Sequence, residues 1–270
     1  SAEQRQYAGQ RLAALVRGSG YRISTGFVGT PLVCDALCAV GEYAAAYRLL
    51  TQRLCPSWLY PVTMGATTIW ERWDSMLPDG AINPGEMTSF NHYALGAVAD
   101  WLHRTVAGLA PAAPGYRSLV IRPVPGGDLT AASARHRTPY GIAASSWQIA
   151  AGQFTLDVEV PPNTTAAVYL PGQEAAPLQI GAGRYRWTLP YTAPVTVYPP
   201  LTLDSTLGDL IDQPAAYAQF MQVMAQFNPE FADRMDGQVT LTVRQTIMMN
   251  PNAPALLEKV AAALGEFLAA

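Results

Sequence analysis

The densest group of chemically active side chains in this sequence is the run Trp70, Glu71, Arg72, Trp73 and Asp74. Tryptophan rings cover the C–H faces of a pyranose, while carboxylates and arginines grip its hydroxyls and move protons, so the run is typical of a saccharide site. A structural interpretation is also open, in which buried tryptophans pack against a helix and Arg72 forms a surface ion pair with Glu71 or Asp74. The residue types alone leave both interpretations standing.

A second candidate element is the run Ser89–Tyr93, which precedes an apolar stretch. Asn91 is of a type that caps helices, and a cap there predicts His92 and Tyr93 in the first helical turn. Groups at the mouth of a helical barrel commonly face a ligand. The alternative for a single histidine is a hydrogen-bonded, partly buried residue with a structural role.

Helical patterns dominate the residues up to about 110. Apolar residues return at helical spacing, and glycine or proline ends each stretch. Thr30 and Pro31 suit the cap and the first position of the second helix. Because no β-branched runs alternate with these helices, we predict a helical bundle or toroid layer rather than an α/β fold. The predicted helices are Glu3–Val16, Leu32–Val40, Glu42–Leu54 and Asn91–Val106.

The pattern changes after the proline- and alanine-rich segment 110–115. A spacer of this composition marks a domain boundary or a sharp turn. Beyond it, short runs with a period of two alternate with turn signals, which favours an antiparallel β-sandwich. The predicted strands are Leu119–Ile121, Ala131–Arg137, Gly141–Ala150, Phe154–Val160, Thr165–Leu170, Tyr185–Leu189 and Pro194–Tyr198.

Residues 201–270 return to a helical pattern. Thr206 with Asp209, and Thr242 with Gln245, match the capping box that opens a helix. The methionines and phenylalanines of this tail recur at helical spacing, which favours a core, and a soft partner-binding surface is the alternative. They are Met221, Met224, Met235, Met248, Met249, Phe220, Phe227 and Phe231.

Composition argues against several functional classes. Only 14% of the residues are charged, the formal net charge is -3 and Lys259 is the single lysine. Neither a nucleic acid nor an anionic membrane is therefore an expected partner. No apolar run approaches the ~20 residues of a membrane-spanning helix. The sequence contains no nucleotide-binding loop and no cluster of metal ligands, so it predicts no cofactor and no metal.

The cysteines indicate a compartment. Cys34, Cys38 and Cys55 are odd in number and lie in apolar, helix-like context. They predict free, partly buried thiols in a reducing compartment. The run Ser1–Gln6 lacks the basic and then apolar layout of a signal peptide. A cytoplasmic location is the resulting expectation.

Five ordered motifs resemble those of the bacterial α-L-rhamnosidases. They are Ser24–Pro31, Pro56–Tyr60, Gly65–Asp74, Ser89–Ala94 and Trp101–Leu102. The resemblance implies that residues 1–112 form the C-terminal part of a six-hairpin (α/α)6 catalytic domain, and that residues 113–200 form the β-sandwich that follows it. Residues 201–270 look like a helical extension, to which the resemblance gives no role. The implied fold class is a multidomain α and β protein with a partial toroid, a sandwich and a small helical module.

The resemblance implies hydrolysis of terminal, non-reducing α-L-rhamnose with inversion at the anomeric carbon. Inverting enzymes use two carboxyl groups, an acid that protonates the leaving oxygen and a base on the opposite face that activates water. Glu71 stands where the family carries its general base. His92 matches a histidine that contacts the rhamnose hydroxyls. Trp70, Trp73 and Arg72 match residues that form the wall of the site or hold the glutamate.

The sequence departs from the family pattern in its acidic residues. The family's general acid and several substrate-gripping residues lie in upstream toroid helices without a counterpart here, and Glu3, Asp35 and Glu42 resemble none of those motifs. We therefore expect a portion of a rhamnosidase that carries the base without the acid and is inactive or nearly so alone. Self-association through exposed toroid helices is a further expectation. The expected ligand is a rhamnoside or a rhamnose-containing glycan.

Two other functions fit the same sequence. The sandwich and the toroid helices would make a non-catalytic carbohydrate-binding or scaffolding fragment of a larger glycosidase. The methionine-rich tail would instead make a protein-interaction module. Replacing Glu71 by glutamine separates the first alternative from catalysis, because losing a base changes the rate, whereas losing a gripping residue changes the affinity.

Overall fold

Three successive regions of different secondary structure make up the chain in the computed structural model, which describes residues 1–173, 176–193, 198–227 and 239–268. A helical region comes first, a region of two β-sheets follows, and a second helical region completes the chain. The predicted fold class, a mixture of toroid helices, β-sheets and a small helical module, is confirmed. No helix within the described ranges is both long and apolar enough to span a membrane.

The first helical region has short helices joined by structured loops. Its first helices are α1 (Ala2–Gly18), α2 (Thr30–Cys38), α3 (Tyr43–Thr51) and α4 (Leu59–Thr63). The predicted cap at Thr30 is wrong, because Gly29 holds the cap position of α2. The Thr30 hydroxyl instead donates to the carbonyls of Thr25, at 3.1 Å, and Gly26, at 2.8 Å. Pro31 lies in the first turn, as expected.

The predicted helix Asn91–Val106 begins later and is irregular. A 3-10 turn (Ala94–Ala97) leads into α5 (Val98–Trp101), and a π-helical turn (Leu102–Val106) ends it. The predicted Asn91 cap is wrong, since the Ala94 amide donates to His92 Nδ1 at 3.3 Å. The reason is tertiary. The His92 amide donates to the Ile69 carbonyl at 2.8 Å and holds this part of the chain outside the helix.

Two four-stranded sheets form the β-region, in the orders β1-β2-β6-β7 and β3-β4-β5-β8. All pairs are antiparallel except β2 with β6, which runs parallel. Of the predicted strand Pro194–Tyr198, residues 194–197 lie outside the described part. The strands are β1 (Leu109–Pro111), β2 (Ser118–Ile121), β3 (Ala131–Thr138), β4 (Gly141–Ala150), β5 (Gln153–Val160), β6 (Thr165–Val168), β7 (Leu178–Ile180) and β8 (Gly183–Pro190).

Strand β4 attaches the sheets to the helical region. The Trp147 indole donates to the Val106 carbonyl at 2.7 Å, and the Ser145 hydroxyl donates to the Ala107 carbonyl at 2.7 Å. Both donors are buried, so these bonds join the two regions inside a common core. Gly108 makes the turn between them with φ +80, where an added Cβ would lie 2.2 Å from the backbone nitrogen of Pro123.

The described part of the C-terminal region contains two similar helix pairs. Each pair opens with a predicted capping box, in which the Asp209 amide donates to Thr206 Oγ1 and the Gln245 amide donates to Thr242 Oγ1, both at 3.1 Å. Thr206 and Thr242 also pair with each other as a β-bridge. The helices are α6 (Leu207–Asp212), α7 (Pro214–Phe227), α8 (Val243–Met248) and α9 (Ala253–Ala263).

The tail's methionines divide between core and surface. Met221, Met224 and Phe220 are buried, as the core interpretation predicts, whereas Met248 and Met249 are exposed. The positions of Met235 and Phe231 fall outside the described residues.

A partly buried cluster of charged side chains fixes α6 to the first helical region. Asp212 accepts hydrogen bonds from Arg17 Nε at 2.9 Å and from the same guanidinium's terminal nitrogen at 2.7 Å. Arg48 donates to the Ile211 and Asp212 carbonyls and lies 3.8 Å from the centroid of the Tyr21 ring. The hydrogen bond to Asp212 raises the pKa of Arg17. The tail is therefore packed onto α1 and α3 rather than tethered to them.

The cysteines are free thiols, and Cys34 is buried. Burial raises the pKa of the Cys34 thiol from 9.0 to about 12. Between these values the unfolded chain has lost the thiol proton while the folded chain keeps it, so the free energy of unfolding falls as the pH rises from 9.0 to about 12. We expect wild type to lose up to about 1 kcal/mol per pH unit more than Cys34→Ala in this window, measured by urea unfolding. Parallel pH profiles for the two proteins would contradict this prediction.

Candidate active site

Two chain segments of the helical region lie side by side and run in opposite directions. The Glu71 amide donates to the Ser89 carbonyl at 2.8 Å, and the His92 amide donates to the Ile69 carbonyl at 2.8 Å. The Thr68 hydroxyl also donates to the Phe90 carbonyl. The structure therefore brings together the two candidate elements that carry Glu71 and His92.

The Glu71 carboxylate is held on one side only. Oε2 accepts a hydrogen bond from the Ser89 amide at 3.1 Å. Oε1 makes no hydrogen bond or ion pair with any residue that the structure describes, and the side chain is half-buried. A general base needs an oriented carboxylate with one oxygen free to take a proton, and this arrangement provides it.

The His92 ring is positioned by stacking and by one hydrogen bond. It lies parallel to the Phe27 ring, with centroids 4.9 Å apart, and to the Tyr93 ring, with centroids 5.8 Å apart. Nδ1 accepts from the Ala94 amide at 3.3 Å. In the neutral ring, acceptance at Nδ1 leaves the proton on Nε2, which can then donate to a ligand hydroxyl.

Phe27 belongs to the Ser24–Pro31 motif, but its role was missed by sequence reasoning. We expect Phe27→Ala to remove about 1 kcal/mol of stacking and to let the His92 ring move. The measurement is the chemical shift of the His92 ring protons, which loses the ring-current contribution of Phe27. Phe90→Ala is the matched control, because Phe90 packs edge-on against Trp70 at 5.1 Å. An unchanged His92 resonance in Phe27→Ala would contradict the stacking role.

The two tryptophans of the motif are packing residues. Trp70 is 4% exposed, so it lacks the free face that stacking on a sugar requires. Trp73 is partly buried and meets Trp58 edge-on, with ring centroids 5.9 Å apart. The Trp58 indole is in turn fixed by a 2.9 Å hydrogen bond to the Leu95 carbonyl. Both positions support a role behind the glutamate, and their contribution to substrate binding stays a prediction.

The Arg72 side chain forms its hydrogen bonds with the loop that leads to Ser89. Its guanidinium forms a two-point contact with Asp74, at 2.6 and 3.2 Å, and donates to the Glu86 carbonyl at 3.2 Å. Asn83 donates to the same Asp74 carboxylate at 2.8 Å. The hydrogen bond to Asp74 raises the pKa of Arg72. The predicted Arg72–Asp74 ion pair is thus present, whereas the part played by Asn83 was not foreseen.

Across the described residues, no group of three histidines, cysteines or acidic residues is placed to hold a metal ion. The groups that the structure places together at this position are a glutamate, a histidine and their supporting aromatic rings. Helices whose connecting loops present these groups, followed by a two-sheet domain, define part of a six-hairpin glycosidase.

The chain belongs to the bacterial α-L-rhamnosidases. Residues 1–106 match the bacterial alpha-L-rhamnosidase 6 hairpin glycosidase domain, and residues 108–183 match the bacterial alpha-L-rhamnosidase C-terminal domain. These matches confirm the family that the five motifs indicate. Neither match reaches the C-terminal helical region.

Curated relatives agree with this assignment. An alpha-L-rhamnosidase of Streptomyces avermitilis is 43% identical over 202 residues, which are 68% of this chain and 20% of the relative. One of Formosa agariphila is 42% identical over 180 residues, covering 67% of this chain and 19% of the relative. The chain thus spans about a fifth of the length of the curated relatives it matches.

Solved structures show the same similarity. The native alpha-L-rhamnosidase of Aspergillus terreus matches with a TM-score of 0.68 and 50% identity, over 70% of this chain and 22% of that one. The Streptomyces avermitilis alpha-L-rhamnosidase complexed with L-rhamnose matches with a TM-score of 0.66 and 42% identity, over 70% of this chain and 20% of that one.

Proposed function

We propose that the helical region supplies the general-base side of an α-L-rhamnosidase active site, which releases terminal α-L-rhamnose with inversion. The observation that carries this proposal is the pairing of the Glu71 and His92 segments, which leaves Glu71 Oε1 free beside an oriented histidine. The L-rhamnose complex of the Streptomyces avermitilis relative supports the choice of sugar.

In this proposal Glu71 accepts a proton from a water molecule as the water oxygen bonds to the anomeric carbon. The glycosidic bond breaks on the opposite face, and its oxygen leaves with a proton from a general acid. His92 Nε2–H donates to a rhamnose hydroxyl and orients the ring. Trp70, Trp73 and Arg72 hold the segment that carries Glu71.

We propose that the acidic residues around Glu71 do not supply the general acid. Asp74 is occupied by Arg72 and Asn83, and Glu86 lies exposed in the following loop. Both are close in sequence to the base, whereas the acid must act from the other face of the sugar. We propose that the acid lies in the part of the longer relatives that this chain does not match, and that these 270 residues alone are inactive or nearly so.

A chimera tests this function. Residues 1–183 of this chain replace the matching segment of the Streptomyces avermitilis enzyme, and hydrolysis of an α-L-rhamnoside is measured. We expect turnover, with the β-anomer of rhamnose as the first product by proton NMR. A folded chimera without turnover, or one that first releases the α-anomer, would reject the proposed role.

Exposed apolar side chains support the expected self-association. Large apolar residues that are exposed concentrate in the helical region: Tyr7, Leu15, Val28, Leu32, Val62, Ile69, Ile82, Met87 and Tyr93. Val28, two residues before α2, is 87% exposed, and Leu32 in the first turn of α2 is 62% exposed. A surface of this kind favours association in water.

We expect sedimentation velocity to show oligomers of the full chain, reduced by Leu32→Ser. Leu178→Ser in β7 is the matched control, because Leu178 is similarly apolar and 42% exposed but lies outside the helical region. A monodisperse monomer, or equal effects of the two substitutions, would contradict self-association through the helices.

A further inference from the structure

A half-open cavity of about 630 Å³ lies where the three regions of the chain meet. Helix α3 forms one wall, the turn 125–129 with Ile149 of β4 forms the second, and the start of α7 forms the third. Residues around Glu71 do not line it. Its volume falls within the range of small-molecule sites, about 300–1,000 Å³.

The first two walls are preformed around the Tyr47 ring. The Tyr47 hydroxyl donates to the Val124 carbonyl, just before the turn. Gly126 and Gly127 lie directly on the ring, since an added Cβ would approach ring carbons of Tyr47 to 2.5 Å and 2.8 Å respectively. Only glycine allows this contact, so the turn and α3 are fixed relative to each other.

The third wall is held just as firmly. The ion cluster of Asp212 with Arg17 and Arg48 fixes the end of α6, and α7 begins two residues later. Gly20 also approaches Tyr217 of α7 so closely that an added Cβ would lie 2.7 Å from the hydroxyl oxygen. The cavity therefore keeps its shape without a ligand, and the C-terminal region completes it.

The lining combines aromatic faces with unused polar groups. Within the described ranges, the Tyr43 and Tyr191 hydroxyls and the Arg53 guanidinium make no hydrogen bond. Leu129 and Ile149 add an apolar patch. Two half-buried tyrosine rings, Tyr43 and Tyr191, supply the accessible aromatic surface, whereas Tyr21, Tyr47 and Tyr217 are buried in the walls. A ligand that fits has flat C–H faces and several hydroxyls, which is the chemistry of a pyranose.

We propose that this cavity is a saccharide-binding site for a neutral 6-deoxypyranoside, an α-L-rhamnoside. One face of the sugar packs on a tyrosine ring, its C6 methyl contacts the patch of Leu129 and Ile149, and its hydroxyls bond to Tyr43, Tyr191 and Arg53. The choice of rhamnose among pyranosides rests on the proposed function, whereas the cavity does not depend on Glu71. The C-terminal helical region thereby gains a role as the wall that closes the site.

Calorimetric titration of the full chain with methyl α-L-rhamnoside tests this proposal. Tyr191→Phe removes one hydroxyl, and we expect binding about 2- to 10-fold weaker. Ala218→Trp fills the cavity from an exposed position on α7, and we expect binding to be lost. Tyr140→Phe, on the turn between β3 and β4, is the matched control and leaves binding unchanged.

Further measurements distinguish binding in this cavity from binding at the site around Glu71. Binding that survives Ala218→Trp but is lost in His92→Ala would place the rhamnoside at the site around Glu71 and overturn the proposal. Absence of rhamnoside binding would overturn it too. Binding of 4-nitrophenol, an aromatic probe without a sugar, in place of the rhamnoside would also overturn it. An inactive chimera with intact, Tyr191-dependent binding would reject the proposed hydrolysis and leave the cavity site standing.

Discussion

We expect Glu71→Gln in the chimera to lower kcat by about 10³-fold, because an amide cannot perform the proposed proton abstraction from the attacking water. Glutamine keeps the side-chain shape, and its carbonyl oxygen can still accept the hydrogen bond from the Ser89 amide. Substrate affinity is therefore expected to change little. The measurements are kcat and KM for an α-L-rhamnoside, with binding to the inactive variant followed by calorimetry.

Glu86→Gln is the matched control for this substitution. Glu86 lies on the same loop, is exposed, and contributes only its carbonyl oxygen to the Arg72 contact. We expect Glu86→Gln to keep kcat within about twofold, as for a surface change remote from special features. A Glu71→Gln chimera that loses affinity but keeps kcat would identify Glu71 as a gripping residue and favour the non-catalytic alternative.

Trp147→Ala is the substitution for which we expect the largest loss of stability, about 4 kcal/mol in the free energy of unfolding. The side chain is 1% exposed and packs on Phe154, with ring centroids 5.8 Å apart. Alanine leaves a cavity between the sheets and the helices. It also removes the 2.7 Å hydrogen bond to the Val106 carbonyl and leaves that buried acceptor unpaired. Urea unfolding measures the effect.

Trp187→Ala provides the comparison for Trp147→Ala. Trp187 stands on β8 of the same sheet and stacks on Tyr185, but it is only partly buried. We expect a cost of about 1 kcal/mol, since less apolar area is lost and no buried acceptor is left unpaired. Similar costs for the two substitutions would show that the junction between sheets and helices contributes little to stability.

Local signals allowed much of the fold to be predicted. Gly141–Ala150 forms a strand with the predicted bounds, because alternation and flanking turns are properties of the chain itself. The capping box of Thr206 and Asp209 is equally local. The predicted start of the helix at Asn91 is wrong, because the hydrogen bond from the His92 amide to the Ile69 carbonyl competes with helix formation. The parallel pairing of β2 with β6 joins strands far apart in sequence, which periodicity does not detect.

The candidate site was predictable in its residue types but not in its geometry. The motifs indicated Glu71 and His92, and the family is confirmed by the matching domains. The contact of Phe27 with His92 depends on how two loops pack, and neither residue signals it alone. The degree of burial of Trp70 likewise follows from packing against Phe90. Side-chain roles thus required the tertiary structure.

The most direct test of the central claim is the turnover of an aryl α-L-rhamnoside by the purified 270-residue chain. Far-UV circular dichroism first establishes that the chain is folded. The proposal that Glu71 acts as a base without its acid partner predicts no turnover. Turnover that Glu71→Gln abolishes would contradict it, since a general acid would then lie within these residues or in a second copy of the chain.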